Sequence, residues 1–82
     1  MSQVTIVRPD NLVYVDGLAA AVDCSSLSPD IHAIQWNDGT KWGDIEFVHV
    51  VGQREKPPNI QITDFSAYEF LRQAWRQKKD VH

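Results

Sequence analysis

The stretch from His32 to Val51, HAIQWNDGTKWGDIEFVHVV, constrains this chain more than any other. Asp38-Gly39 sits near its middle. An Asp-Gly pair between two runs of strand-forming residues predicts a β-hairpin, because a tight two-residue turn needs positive φ. With that turn, Trp36 faces Lys41, Ile34 faces Gly43 and His32 faces Ile45. A loop longer by two residues shifts these pairs but keeps the faces, since side chains alternate with period two. One face carries His32, Ile34, Trp36, Ile45, Phe47, His49 and Val51. The other carries Ala33, Gln35, Trp42, Asp44, Glu46, Val48 and Val50. The first is the core face. Gly43 leaves a gap there for the Trp36 indole, and Trp42 falls on the more polar side.

Upstream, Gln3 to Arg8 alternates Val4 and Ile6 against Thr5 and Val7, the period of a strand. Arg8-Pro9-Asp10-Asn11 has the form of a type I turn, with proline where its φ fits. Leu12 to Val15 is a second strand, and Asp16-Gly17 a second hairpin signal. This turn sets Val15 opposite Leu18, Tyr14 opposite Ala19 and Val13 opposite Ala20. Asp23 to Asp30, DCSSLSPD, is a loop by composition.

Downstream, Gly52 to Asn59 is a polar, Pro-rich connector, and Pro57-Pro58 bars a helix there. Ile60-Gln61-Ile62 has the length of a short edge strand. The span 64–79 is the one helix. Asp64 or Ser66 caps its start, Ser66 with Glu69 matching a capping box. Ala67, Phe70, Leu71, Ala74 and Trp75 form its apolar stripe. Arg76, Lys78 and Lys79 occupy the last turn, where cations favour the helix dipole.

These elements make an α+β fold: a twisted antiparallel β-meander of four to five strands (residues 3–51) with one C-terminal helix packed on the sheet. The 82 residues form a single domain, 1–82. A chain of this size buries only roughly 60% of its unfolded surface. That leaves a thin core and no room for a deep enzymatic cleft. The single cysteine, Cys24, has no internal disulfide partner, which fits a reducing compartment. The longest purely apolar run is Leu18 to Val22, and Met1 to Asp10 lacks the layout of a signal peptide. The expected setting is the cytoplasm, or a particle assembled there.

Charge is unevenly placed. Residues 1–51 hold two basic and seven acidic side chains, a net −5, while residues 52–82 hold six basic and four acidic, a net +2. An acidic front argues against nucleic acid as the main partner. Constellations for chemistry are sparse. Cys24, His32 and His49 lack metal-ligand spacing, and no nucleophile elbow surrounds Cys24 or Ser25, Ser26 and Ser28. Asp44 and Glu46 have the spacing of a solvated strand face rather than of a glycosidase dyad. No glycine-rich phosphate loop occurs. The expectation is a non-enzyme with no cofactor and no metal.

Aromatic content points elsewhere. Tyr14, Trp36, Trp42 and Trp75 are too many large rings for a thin core, and exposed tryptophans favour interfaces. The candidate partner-binding residues are Trp42, Tyr14, Gln35, Asp44, Arg72 and Arg76. Trp36 and Trp75 are expected between sheet and helix. An alternative uses the basic helix: Arg72 and Arg76 share a face with Lys79 beside them, a surface for nucleic acid.

The order of short motifs carries a resemblance. Val13-Tyr14-Val15-Asp16-Gly17 is followed by Val22-Asp23-Cys24-Ser25-Ser26-Leu27 and Ile31-His32-Ala33-Ile34-Gln35-Trp36. Then come Gly43-Asp44-Ile45-Glu46-Phe47, Phe65-Ser66-Ala67-Tyr68 and Ala74-Trp75. This pattern resembles small proteins encoded among the tail genes of bacteriophages and prophages, near tail-fibre genes. The resemblance implies a virion, tail-fibre or assembly role through contacts with a tail or fibre protein, in the host cytoplasm during assembly or in the virion tail, with a homo-oligomer compatible with that role. The alternative is a small phage-encoded regulatory protein that binds a host protein or nucleic acid through its basic helix. It supplies no catalytic residues.

Overall fold

The computed structural model describes residues 3–48 and 58–80. His49, Val50, Val51 and most of the 52–59 connector lie outside the described residues. The fold is α+β. Among the described residues six antiparallel strands form one sheet: β1 (Gln3–Val7), β2 (Leu12–Val15), β3 (Leu18–Ala21), β4 (Ile31–Asn37), β5 (Trp42–Phe47) and β6 (Ile60–Ile62). A 3-10 turn (Ser66–Tyr68) leads into the helix α1 (Glu69–Asp80). The count exceeds the expected four to five because the Ile60–Ile62 edge strand forms and pairs with β5.

The order is β3-β2-β1-β4-β5-β6, which corrects the expectation of one continuous meander. Two three-stranded meanders join through β1 and β4, the central pair. The joining segment, residues 22–30, returns across the sheet from the β3 edge to β4. Asn11 anchors its start: the Asn11 carbonyl accepts from Val22 N (2.9 Å) and Asn11 Oδ1 accepts from Cys24 N (3.0 Å). Arg8 Nε donates to the Leu27 carbonyl at 3.1 Å, holding the other end. Val22, Cys24 and Leu27 are thereby buried.

The β2–β3 hairpin has the expected register, Val15↔Leu18 through Leu12↔Ala21. Asp16 (φ 52°) and Gly17 (φ 84°) both take positive φ, as a two-residue type I′ turn requires. The central hairpin differs. Its register is Trp36↔Gly43 and Ile34↔Ile45, so Asp38–Lys41 form a four-residue loop. Asn37 Oδ1 accepts from Gly39 N (2.8 Å) and Thr40 N (3.2 Å), and Lys41, not Gly39, takes positive φ. The asparagine side chain stands in for a backbone turn partner, and that favours the longer loop.

A register shift between Ile31 and Ala33 moves His32 off the core face. Ile31 takes the buried place, while His32 Nδ1 lies 3.5 Å from Glu46 Oε1 at the surface. A bulge here avoids burying an imidazole without polar partners.

The core is Val4, Ile6, Val13, Val15, Ile31, Ile34, Trp36 and Ile45 from the sheet, closed by Val22, Cys24, Leu27, Phe65 and Leu71. The helix therefore covers the Trp36 face, crossing β2 and β3. Trp75 Nε1 donates to the Leu18 carbonyl at 2.8 Å and ties the helix to the sheet edge. Two details of the expected helix are corrected. The Ser66–Glu69 capping box does not form: Asp64 Oδ1 accepts from Ser66 N (2.9 Å) at the start of the 3-10 turn, and the Glu69 carboxylate turns to Arg72 instead of back to Ser66. Phe70 is 49% exposed and Ala67 is also exposed, because Phe65 fills the slot against Trp36.

Candidate functional site

Sheet residues alternate, so whatever does not face the helix faces away from it. On that open face two neighbouring rows run across the strands. One is Gln3↔Asn37↔Trp42. The next is Ala19↔Tyr14↔Thr5↔Gln35↔Asp44↔Gln61. Where the rows meet on β1, β4 and β5 there is a hollow of about 420 Å³, whose polar lining includes Gln3, Thr5, Gln35, Asn37, Thr40 and Asp44. Trp42, 43% exposed, forms its aromatic wall.

Three of the sequence-derived partner residues, Trp42, Gln35 and Asp44, thus come together. Tyr14 shares their face and Gln35's row but sits two strands away on β2, half-buried, outside the hollow. Arg72 and Arg76 lie on the helix, on the opposite side of the sheet, so the six residues do not make one site. Sequence reading missed Gln3, Thr5, Asn37 and Thr40. Their signal was register: once β1 pairs with β4, Gln3 and Thr5 must stand beside Asn37 and Gln35.

The helix side is a structural network. Trp36 Nε1 donates to Asp38 Oδ1 at 2.7 Å. Arg72 Nη1 pairs with Asp38 Oδ2, and Arg72 Nη2 reaches Glu69 Oε2 at 2.7 Å. The Phe65 ring stacks on Trp36 (centroids 5.4 Å apart, 18° between planes), and the Arg72 guanidinium carbon lies 5.3 Å from the Phe65 centroid. The Arg72 side chain is only 12% exposed. It is a clamp between helix and hairpin loop rather than part of a free basic face. Arg76 Nη1 donates to Gln73 Oε1 at 3.4 Å on the exposed helix surface, and the Lys79 side chain lies outside the described residues.

The Arg72 hydrogen bond holds Asp38 below the usual carboxylate range, with burial opposing and the Trp36 N–H assisting. The sign follows. A carboxylate with a lowered folded pKa adds stability above its unfolded pKa of about 3.9, and that stability fades as pH falls through the folded value. Urea midpoints measured from pH 5 to pH 2 should therefore drop more steeply for the wild type than for Asp38→Asn. Parallel slopes would show that the pair is energetically silent.

Catalytic candidates fare differently. Cys24 is fully buried, and its Sγ donates to the Val22 carbonyl at 3.3 Å. Burial pushes its thiol pKa up, with Asp23 adding to the effect and Arg8 opposing it, which disfavours the nucleophilic thiolate. Among the described residues no group of three or more His, Cys, Asp or Glu side chains is placed to hold a metal ion, and no helix is long and apolar enough to cross a membrane. Comparison with protein-family models, curated proteins and solved structures returns no match for this chain.

Proposed function

We propose that this chain is a non-enzymatic phage tail-associated protein, a minor structural component or tail-fibre assembly factor, that works through protein contacts on the open sheet face. The observation that supports this reading most is the division of the sheet. The helix and residues 22–30 cover one face, while the other presents an exposed Trp42 beside the Gln3, Gln35 and Asp44 side chains, which have no partner among the described residues. A large ring left outside the core is an interface anchor in waiting. The tail setting rests on the motif order of the sequence. Binding of nucleic acid by the basic helix is less well supported, because Arg72 is spent on Asp38 and Glu69.

Tagged protein should co-purify with an identified tail or fibre component from a lysate of induced phage. Trp42→Ala should lose that capture while shifting the urea midpoint little, since the indole is outside the core. Capture of no virion or tail component by the wild type, or undiminished capture by Trp42→Ala, would overturn the reading.

A further inference from the structure

The chemistry of the hollow narrows the kind of group it receives, given that the open face binds a protein partner. At about 420 Å³ the hollow is within the range of sites for small ligands or side chains. Trp42 and Asp44 are two apart on β5, so they rise from the same face about 6.8 Å apart along the strand. Among the described residues Asp44 has no hydrogen-bond or ion-pair partner, and none of the residues lining the hollow is basic. The side-chain amides of Gln3 and Gln35 also have no partner there. The Asn37 oxygen is taken by Gly39 and Thr40.

Each ligand class meets this surface differently. An anion would face Asp44 with no cation among the described lining residues to offset it. An aliphatic group would desolvate a carboxylate and two amides without bonding them. A cation gains twice: the negative face of the indole attracts it, and the carboxylate forms charge-assisted hydrogen bonds with it. Planarity then favours a guanidinium, which stacks on an aromatic face while its edge N–H groups donate. The net −5 of residues 1–51 draws a basic segment toward the strands.

We propose that the hollow receives an arginine side chain from the partner protein. The guanidinium stacks on Trp42 and pairs with Asp44, and the amide oxygens of Gln3 and Gln35 accept its remaining N–H groups.

The test uses the capped peptide acetyl-Gly-Arg-Gly-amide and its citrulline counterpart, which keeps the shape and loses the charge. In two-dimensional NMR the arginine peptide should shift the Trp42 indole N–H and the Gln35 side-chain amide. The citrulline peptide should bind at least about tenfold more weakly, and Asp44→Asn should lower the arginine-peptide affinity by a similar factor. Raising the salt concentration should weaken binding of the arginine peptide alone. Equal shifts with both peptides, or none with either, would overturn the arginine assignment. The broader reading has its own readout. Tail-component capture that Trp42→Ala abolishes and Asp44→Asn leaves intact would keep the open face as the interface and remove arginine as its ligand.

Discussion

Trp36→Ala should lower stability by about 3–5 kcal/mol, the range for truncating a buried aromatic side chain. A domain of this length has roughly 4–12 kcal/mol in all. The variant should therefore be partly unfolded at room temperature or unfold at a much lower urea concentration. The indole is 4% exposed and has several functions at once. It fills the space above Gly43, stacks on Phe65 and donates to Asp38, which in turn holds Arg72 of the helix. Removing it leaves a cavity and takes away one of the two bonds that orient the Asp38 carboxylate. Trp36→Phe separates these contributions, keeping a stacking ring while removing the N–H donor. Circular dichroism through a urea titration is the measurement. A loss below about 1 kcal/mol for Trp36→Ala would mean that the site collapses around the change and that the indole is not the keystone of the hairpin–helix joint.

Gly43→Ala should be nearly as damaging, for the opposite reason. A Cβ at Gly43 would run into the backbone carbonyl oxygen of Gln35 and stand 3.0 Å from Cε3 of Trp36. The carbonyl belongs to the β4 backbone and has no flexible end to move aside. Forcing in one methyl must separate β4 from β5 or push the indole off its rotamer. Overpacking of this kind costs about 1–3 kcal/mol, and the backbone clash places Gly43→Ala at the upper end. Gly17→Ala is the informative contrast. Gly17 has open space where its Cβ would be, and its cost comes from positive φ alone. Double variants should behave differently too. Gly43→Ala combined with Trp36→Leu should cost less than the sum of the two single changes, because the smaller side chain vacates part of the contested space. Strict additivity would show that the Gln35 backbone alone sets the penalty.

The two hairpins show which features are legible in a chain. Around Asp16-Gly17 everything needed for the register is local: two residues that tolerate positive φ between two short strand-formers. Around Asp38-Gly39 the same dipeptide forms a longer loop. Asn37 turns back on the loop, and the Asp38 carboxylate is needed by Arg72, which is 34 residues further along. No short-range signal carries that second demand. The same holds for His32, which period-two alternation places inside and a bulge places outside. Trp36 as core and Trp42 as exposed were both readable, because a loop change of two residues preserves the faces.

The helix shows the limit from the other side. Its place near the C-terminus was plain from spacing and charge. Which ring enters the core was not, since Phe70 lies in the apolar stripe and Phe65 outside it, yet Phe65 is the one that stacks on Trp36. Likewise Arg72 reads as one of a basic pair with Arg76 until the sheet brings Asp38 beside it.

By itself, then, the sequence determined what depends on neighbours in the chain: the strands, the Asp16-Gly17 turn, the helix near the C-terminus, and a sheet with one apolar and one polar face. Only the tertiary structure decided the central pairing of β1 with β4, the capture of Arg72 by the hairpin loop, and the meeting of Gln3 and Thr5 with Gln35, Asn37, Trp42 and Asp44 in one hollow. The reason is physical. Local turns and periodicities depend on φ preferences and side-chain alternation, which act over a few residues. Strand order and side-chain networks depend on contacts between segments tens of residues apart, which exist only once the chain has folded.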